Sequence, residues 1–180
     1  MGGREKPSQI AGCVWHSVHM TEENVSVTRV IDAEAQTIFG VLADPTTHAE
    51  IDGTGWVCEA LDATPLTAPG QIFRMSMYHE DHPNGQYEVV NRVELLEPPK
   101  AISWEPGSDA GNGTLRFGGW IWRYDLTPVG SSTTSVTLSY DWSAVSGSIR
   151  EHIGFPPFGP EHLANSLDHL AELVSTRPAP

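Results

Sequence analysis

The sequence predicts a single α+β domain in which a long C-terminal helix covers one face of an antiparallel sheet of about seven strands. Segments that alternate apolar and polar residues, separated by proline and glycine turns, fill the middle of the chain. An apolar stripe at helical spacing follows near the C-terminus. The chain has 180 residues, of which 39% are hydrophobic, and this is enough apolar material for one core.

The two ends of the chain lack the periodicity of its middle. The first residues include two glycines and mixed charges, and the last four include two prolines. The expected organisation is a flexible leader at 1–23, one domain at 24–175 and a disordered tail at 176–180.

The start of the domain predicts one strand followed by two short helices. Valines that alternate with polar residues indicate a strand from Asn24 to Ile31. Asp32 is expected to cap the first helix, which ends at Asp44-Pro45. The segment THAEIDG then allows one or two further helical turns, closed by Gly53.

Six further strands are predicted, each bounded by residues that are typical of turns. Pro83-Asn84-Gly85 predicts a hairpin turn, and GSDAGNGT at 107–114 predicts a flexible loop. The six strands are expected at 56–61, 71–79, 86–96, 101–104, 117–127 and 133–143.

The final helix has the most regular pattern in the chain. Pro160 and Glu161 suit its first turn. Four apolar residues follow at the spacing i, i+4, i+7 and i+11, namely Leu163, Leu167, Leu170 and Val174. Such a stripe is typical of a helix that packs on a sheet.

Charge limits the classes of partner. The chain has 10 Lys and Arg against 23 Asp and Glu, a net charge of −13. This balance repels phosphate backbones and anionic membrane surfaces, so nucleic acid is not expected as a partner. No stretch approaches the roughly eighteen apolar residues of a membrane span. Two cysteines without CxxC spacing, and no apolar signal segment, predict a cytoplasmic protein.

Alternation along the strands predicts which side chains face the final helix. The inward set is rich in aromatic residues, and its outward neighbours include Arg74, Arg92 and Arg123. The candidate ligand-binding residues of the inward set are Phe73, Met75, Met77, His79, Tyr87, Asn91, Trp104, Trp122 and Tyr124. Two interpretations stay open: the polar members orient a flat hydrophobic ligand, or they satisfy one another inside a closed core.

Asn91 is the most informative of these residues, because an unpaired amide on an apolar face costs roughly 1–3 kcal/mol. A ligand carbonyl, a neighbouring tyrosine and an ordered water are all candidate partners. The sequence does not choose among them.

The order of the elements resembles that of a known superfamily. The segments that carry the resemblance are VTRVIDAEAQTIFGVLADPTTHAEIDGTG, PGQIF, YEVVNRVELLEPPKAISW, WRYDLTP and SYDWS. They resemble the SRPBCC superfamily (START/Bet v1-like, polyketide cyclase/dehydrase) over roughly Val25–Val174. The resemblance implies a helix-grip fold, in which a curved sheet and the long helix enclose a hydrophobic cavity. Its members bind lipids, sterols, polyketides and other hydrophobic molecules, and include both enzymes and carriers, so the fold alone does not define the reaction.

The candidate catalytic residues are His48, Asp52 and Tyr140. His48 and Asp52 are four residues apart in the second short helix, so both could project from one face. In a cyclase-like mechanism His48 removes a proton next to a ketone, Asp52 fixes the histidine tautomer, and Tyr140 or Tyr87 donates to the enolate. This chemistry requires no metal and no organic cofactor. The alternative is that Asp52 caps the turn before Gly53 while His48 is solvated.

Three other features of the sequence bear on function. His79-Glu80-Asp81-His82 is interpreted as the charged end of a hairpin instead of a metal site. His162 and His169 are interpreted as surface or pocket-rim residues. The segment GFPPFG at 154–159 is either a mobile lid or a hydrophobic plug.

Two functions therefore stay open at the level of sequence. The first is an acid–base catalyst of the polyketide cyclase/dehydrase type, and the second is a carrier of a lipid or metabolite. Both have a hydrophobic small molecule as the partner. The oligomeric state, a homodimer included, is left open.

Overall fold

The alternating segments form one antiparallel sheet of nine strands in the computed structural model, which describes residues 16–177. The order across the sheet is β1-β2-β9-β8-β6-β5-β4-β3, and β7 pairs with β6. The strands are β1 (Ser17–Met20), β2 (Asn24–Ile31), β3 (Val57–Ala60), β4 (Ile72–Tyr78), β5 (Gln86–Glu97), β6 (Ala101–Asp109), β7 (Leu115–Phe117), β8 (Ile121–Pro128) and β9 (Thr134–Asp141).

Helices interrupt the sheet after β2 and after β9. They are α1 (Ala35–Leu42), α2 (His48–Ile51), α3 (Gly147–Arg150) and α4 (Glu161–Thr176), with a 3₁₀ turn at Pro45–Thr47. The α+β class, the antiparallel sheet and the long C-terminal helix are confirmed. No helix formed by residues 16–177 is long and apolar enough to cross a membrane.

Helix α4 packs its predicted stripe into the core. Leu163, Leu167 and Leu170 are fully buried and Val174 is 4% exposed. The helix lies against β2, β9 and the two short helices α1 and α2. Burial of a leucine side chain contributes about 2 kcal/mol, so this stripe holds the helix on the sheet.

Alternation sorts the side chains of the sheet as predicted. The arginines of the outer face form ion pairs there, Arg74 with Asp62 at 2.9 Å and Arg123 with Asp125 at 2.6 Å. The hairpin between β4 and β5 turns at the predicted site, where Gly85 has a positive φ of 70°. Tyr78 therefore pairs with Gln86.

The leader prediction is wrong for its last residues. Strand β1 occupies Ser17–Met20 and pairs with Val25–Thr28 of β2 at the edge of the sheet. All four β1 side chains are exposed, so the strand is held by backbone pairing and has no inward apolar pattern to predict it. The rest of the predicted leader, 1–15, and residues 178–180 of the predicted tail lie outside the described residues.

The loop predicted at 107–114 begins later than expected, because residues 107–109 belong to a strand. Strand β6 continues through Pro106 and Gly107 to Asp109, and β7 folds back on it with Phe117 opposite Gly107. The strand predicted at 117–127 is consequently divided, because Gly119 has a φ of 88° and begins a new direction. The sequence did not predict the pairing of β6 with β7, because Pro106 and Gly107 are of residue types that usually break strands.

The first helix begins later than predicted. Its N-cap is Glu34, without a side-chain hydrogen bond, so Asp32 does not cap it. The one-turn helix α3 was not predicted, and four residues are too short to give a periodic pattern.

Candidate functional site

A pocket of about 420 Å³ lies between α2, α4, the segment after α3 and the inner face of the sheet. This volume is in the range of roughly 300–1,000 Å³ that small-molecule sites occupy. Apolar and aromatic side chains form most of its wall: Trp56, Val57, Phe73, Met75, Met77, Val89, Trp104, Trp120, Trp122, Ile153, Phe155 and Phe158.

The structure brings the predicted ligand-binding residues together on this wall. All of them except His79 line the pocket, as do the three candidate catalytic residues. His79 instead contacts the Trp56 ring edge-on at 4.7 Å, and its Nδ1 accepts a hydrogen bond from the Asp81 amide at 3.1 Å. It belongs to the hairpin end, where the strand alternation that predicted its direction has stopped.

Four amide and hydroxyl side chains face this apolar pocket without a protein hydrogen bond. They are Tyr87, Asn91, Tyr124 and Tyr140. Asn91 is only 4% exposed and lies on the middle strand of the β4–β5–β6 pairing. Within residues 16–177, no hydrogen bond joins its amide to a tyrosine, and none of the three phenol groups is bonded to another side chain. The interpretation in which these groups satisfy one another is therefore wrong.

Burial keeps the phenols in their neutral form. It raises the pKa of Tyr124 and Tyr140 far above the usual value, with the charge of Asp52 adding to the effect at Tyr124. The pKa of Tyr87 is raised by burial and, to a smaller extent, by nearby Asp52 and Cys58. Each hydroxyl can therefore donate to an acceptor in the pocket.

His48 is held in one orientation by its surroundings. The ring is 7% exposed and stacks on Trp104 with a centroid distance of 5.1 Å. Its Nε2 donates to the carbonyl oxygen of Leu42 at 2.9 Å, which leaves Nδ1 as the unprotonated nitrogen of the neutral ring. Burial lowers the pKa of His48, against smaller opposing effects of the Leu42 hydrogen bond and of nearby Asp44. The expectation of a solvated His48 is wrong.

Asp52 does not pair with His48, so the predicted dyad is wrong. Its carboxylate accepts from the Thr54 hydroxyl at 2.9 Å, the Thr54 amide at 3.3 Å and the Val57 amide at 3.0 Å. Helix α2 ends at Ile51, so Asp52 has extended backbone and its side chain turns into the following loop. The alternative, in which Asp52 caps this turn, is confirmed.

His162 is a pocket residue that the sequence interpretation placed at the surface or rim. It is 8% exposed and contacts the ring of Phe158 at a centroid distance of 4.7 Å. Burial lowers its pKa, with opposing effects from Asp52, Gly53 and Glu161. Its Nδ1 is buried and has no hydrogen-bond partner within the described part of the chain. Its position one residue before the Leu163 stripe, with Ser166 one turn later, was the pattern that could have predicted its burial.

The segment 154–159 forms part of the pocket wall. Phe158 packs on Trp122 at 5.3 Å and on Tyr140 at 4.9 Å, and Phe155 packs on Trp120 at 5.9 Å between ring centroids. Both phenylalanines are half-buried. The segment therefore closes one side of the pocket in this conformation.

Two hydrogen bonds join the segment after α2 to α4. The Gly53 amide donates to the Ser166 hydroxyl at 3.0 Å, and His169 Nδ1 donates to the Asp52 carbonyl oxygen at 3.1 Å. His169 is therefore a structural contact of this junction. Among residues 16–177, no three His, Cys, Asp or Glu side chains are grouped so that they could hold a metal ion.

Acid is expected to destabilise the protein through its buried histidines. Because the pKa of folded His48 lies below its unfolded value near 6.5, the unfolded chain binds more protons below that pH, and stability present at pH 7 is lost as pH falls. The slope is at most about 1.4 kcal/mol per pH unit for one histidine. Denaturant unfolding at pH 7, 6 and 5 should give a shallower dependence for His48→Gln than for the wild type.

The matched control is His152→Gln, which alters an exposed histidine. It should leave the pH dependence unchanged. Equal slopes for wild type and His48→Gln would contradict the assignment of a neutral, buried His48.

The fold and the site together define an α+β protein with an aromatic-lined pocket. No protein-family model matches the chain. Uncharacterized protein Rv0088 of Mycobacterium tuberculosis is 27% identical over 131 residues, which cover 73% of this chain and 52% of that protein. MT0096, from another strain of that organism, matches with the same identity and coverage. The chain thus spans about half the length of the curated relatives it matches.

Solved structures resemble the chain over most of its length. A protein from Arthrobacter aurescens has a TM-score of 0.65 at 15% identity and covers 89% of this chain and 92% of its own. Ms6760 from Mycobacterium smegmatis scores 0.62 at 15% identity, covering 88% and 96%. CV1439 from Chromobacterium violaceum scores 0.61 at 19% identity, covering 87% and 100%. At these identities the likeness shows a shared fold alone.

Proposed function

We propose that the protein binds a hydrophobic, flat small molecule with hydrogen-bond acceptors, of aromatic, polyketide or lipid-like character, in the pocket under α4. The observation that carries this proposal is the set of unpartnered polar groups on an apolar wall. A ligand that fills the pocket and displaces its water must offer acceptors to the amide and the phenols, because a polar group that is removed from water without a partner costs free energy. The aromatic rings around these groups suit a planar ligand.

The same arrangement supports the helix-grip interpretation and the resemblance to the SRPBCC superfamily. A long C-terminal helix lies across the sheet, and the two short helices α1 and α2 follow the first strand of the predicted domain. Residues from α4 and from β4, β5, β6, β8 and β9 contribute to one wall. Under this proposal the pocket is the hydrophobic cavity of that fold.

Acid–base chemistry is a second candidate, and one observation favours it. The Leu42 carbonyl orients His48 and fixes its tautomer, which is the role first assigned to Asp52. His48 Nδ1 could then accept a proton from a carbon next to a ketone, while Tyr140 donates a hydrogen bond to the enolate oxygen. His48→Gln and Tyr140→Phe separate the two functions, because a catalyst loses turnover of a bound polycarbonyl compound but keeps its affinity, whereas a carrier has no turnover to lose.

Binding can be tested with the uncharged fluorescent probe N-phenyl-1-naphthylamine, whose emission rises in apolar surroundings. We expect saturable binding to the wild type and about 10-fold weaker binding to Trp122→Ala, since that ring forms part of the wall. The control is Ile72→Ala on the outer face, which should bind as the wild type does. Identical affinity in Trp122→Ala, with its fold verified by circular dichroism, would contradict binding in this pocket.

Native mass spectrometry of protein from its own host, followed by denaturing extraction, would identify a co-purifying ligand. A hydrophobic compound that is released only on denaturation supports the proposal. A water-soluble, strongly polar compound bound in stoichiometric amount would contradict it.

A further inference from the structure

The charges around the pocket point to a narrower class of ligand. None of the described residues that line the pocket is Lys or Arg. Asp52 is the one acidic residue among the residues of the described chain that form the wall. A ligand that enters therefore meets aromatic surface, neutral hydrogen-bonding groups and one negative charge.

Three arginines of the described chain are engaged in ion pairs elsewhere. Arg29 is paired with Asp168 beneath α4, and Arg150 with Glu23 at 2.9 Å. Arg92 is paired with Glu105 at 2.7 Å on the outer face of the sheet. None of these guanidinium groups belongs to the pocket wall, so none is placed to neutralise an anion there.

We propose that this pocket takes an uncharged ligand and rejects the anionic counterpart of the same framework. The inference rests on the proposed function and narrows it. A buried anion is best stabilised by a cation, and a few neutral donors alone leave most of its lost hydration uncompensated. Fatty acids, phospholipids and sulfated or phosphorylated compounds are thereby excluded as ligands. Uncharged aromatic or polycarbonyl molecules remain as the candidate ligands.

The groups that face the ligand support this selection. Asn91 offers an amide and Tyr124 and Tyr140 offer hydroxyls, all neutral donors that match carbonyl or hydroxyl oxygens. His48 and His162, whose pKa values burial lowers, supply no positive charge at neutral pH. The Asp52 carboxylate, held by Thr54 and Val57, adds repulsion toward an anion.

Three probes that share one aromatic framework test the inference. N-phenyl-1-naphthylamine is uncharged, 8-anilinonaphthalene-1-sulfonate adds one negative charge, and the corresponding sulfonamide adds the same bulk without the charge. Affinities for the full chain are measured by fluorescence titration, with displacement of the uncharged probe to ensure that all three occupy one site. We expect the sulfonate to bind at least 30-fold more weakly than the sulfonamide.

The net charge of −13 also repels an anion, so the measurement is repeated in 0.5 M NaCl. The screening length there is about 4 Å, which removes the long-range repulsion and leaves the cost of burial. A preference for the sulfonamide that persists in high salt supports exclusion by the pocket. A preference that disappears in high salt overturns the inference.

A variant supplies the missing charge. Met77→Lys places an ammonium group on the pocket wall and should raise the affinity for the sulfonate relative to the sulfonamide by about 10-fold. If this variant does not fold, the comparison of sulfonate with sulfonamide binding to the wild type still tests the inference. Equal binding of sulfonate and sulfonamide to the wild type would overturn this inference alone, whereas failure of both uncharged probes to bind would overturn the proposed function itself.

Discussion

Replacing Gly53 by alanine is expected to lower the free energy of unfolding by about 3 kcal/mol, because the added methyl group would overlap the backbone of α4. A Cβ at this position would lie 2.8 Å from the Ser166 nitrogen and nearer still to the His162 carbonyl oxygen. Both are backbone atoms of α4, which cannot move away without leaving the sheet. The helix would have to shift, and the hydrogen bond from the Gly53 amide to the Ser166 hydroxyl would be lost.

Urea unfolding measures this effect, and Gly40→Ala is its matched control. Gly40 is an exposed residue of α1, and a Cβ there meets no atom within 4 Å. Alanine at this helical site should stabilise the protein by about 0.5–1 kcal/mol. If Gly53→Ala were as stable as the wild type, the close contact between the segment after α2 and helix α4 would be contradicted.

The second large effect is expected for Asn91→Leu, which should change stability and ligand affinity in opposite directions. Asn91→Leu should raise the free energy of unfolding by about 1 kcal/mol, because it replaces an amide that faces an apolar pocket wall by an apolar group of similar volume. It should also weaken binding of a carbonyl-bearing aromatic ligand by about 10-fold, since the donor is lost. Replacement of a residue that serves folding alone would lower both the free energy of unfolding and the ligand affinity, or would change neither.

Thermal unfolding and calorimetric titration measure the two quantities, and Asn165→Leu is the control. Asn165 is exposed on α4, so the same substitution should change stability by at most about 0.5 kcal/mol and leave affinity unaltered. A marked loss of stability in Asn91→Leu would mean that the amide has a protein partner. Unchanged affinity would remove Asn91 from the ligand site.

These two residues also illustrate what could be predicted of the site. Asn91 was identified from the sequence because alternation places it on the inner face, and its polarity conflicts with that face. Gly53 was predicted only to close a helix, since the approach of α4 involves residues more than 100 positions away. Local pattern indicates the direction of a side chain but not the identity of its neighbour.

The candidate catalytic residues show the same division. The spacing of His48 and Asp52 predicted a shared helix face, but the helix ends at Ile51 and the carboxylate bonds to Thr54 and Val57. The partner of His48 is instead a backbone carbonyl, that of Leu42. Backbone carbonyls occur at every residue, so no sequence pattern distinguishes the one that orients a histidine.

Sequence by itself determined the α+β class, the strands with clear alternation, the inward aromatic set and the apolar stripe of α4. Each follows from the period of one segment, which the chain contains locally. Tertiary structure alone decided the pairing of β1 with β2 and of β7 with β6. It also decided the burial of His162 and the closure of the pocket wall by Phe155 and Phe158. Those features depend on backbone pairing and on contacts between distant segments, and both come into existence only when the sheet and α4 pack together.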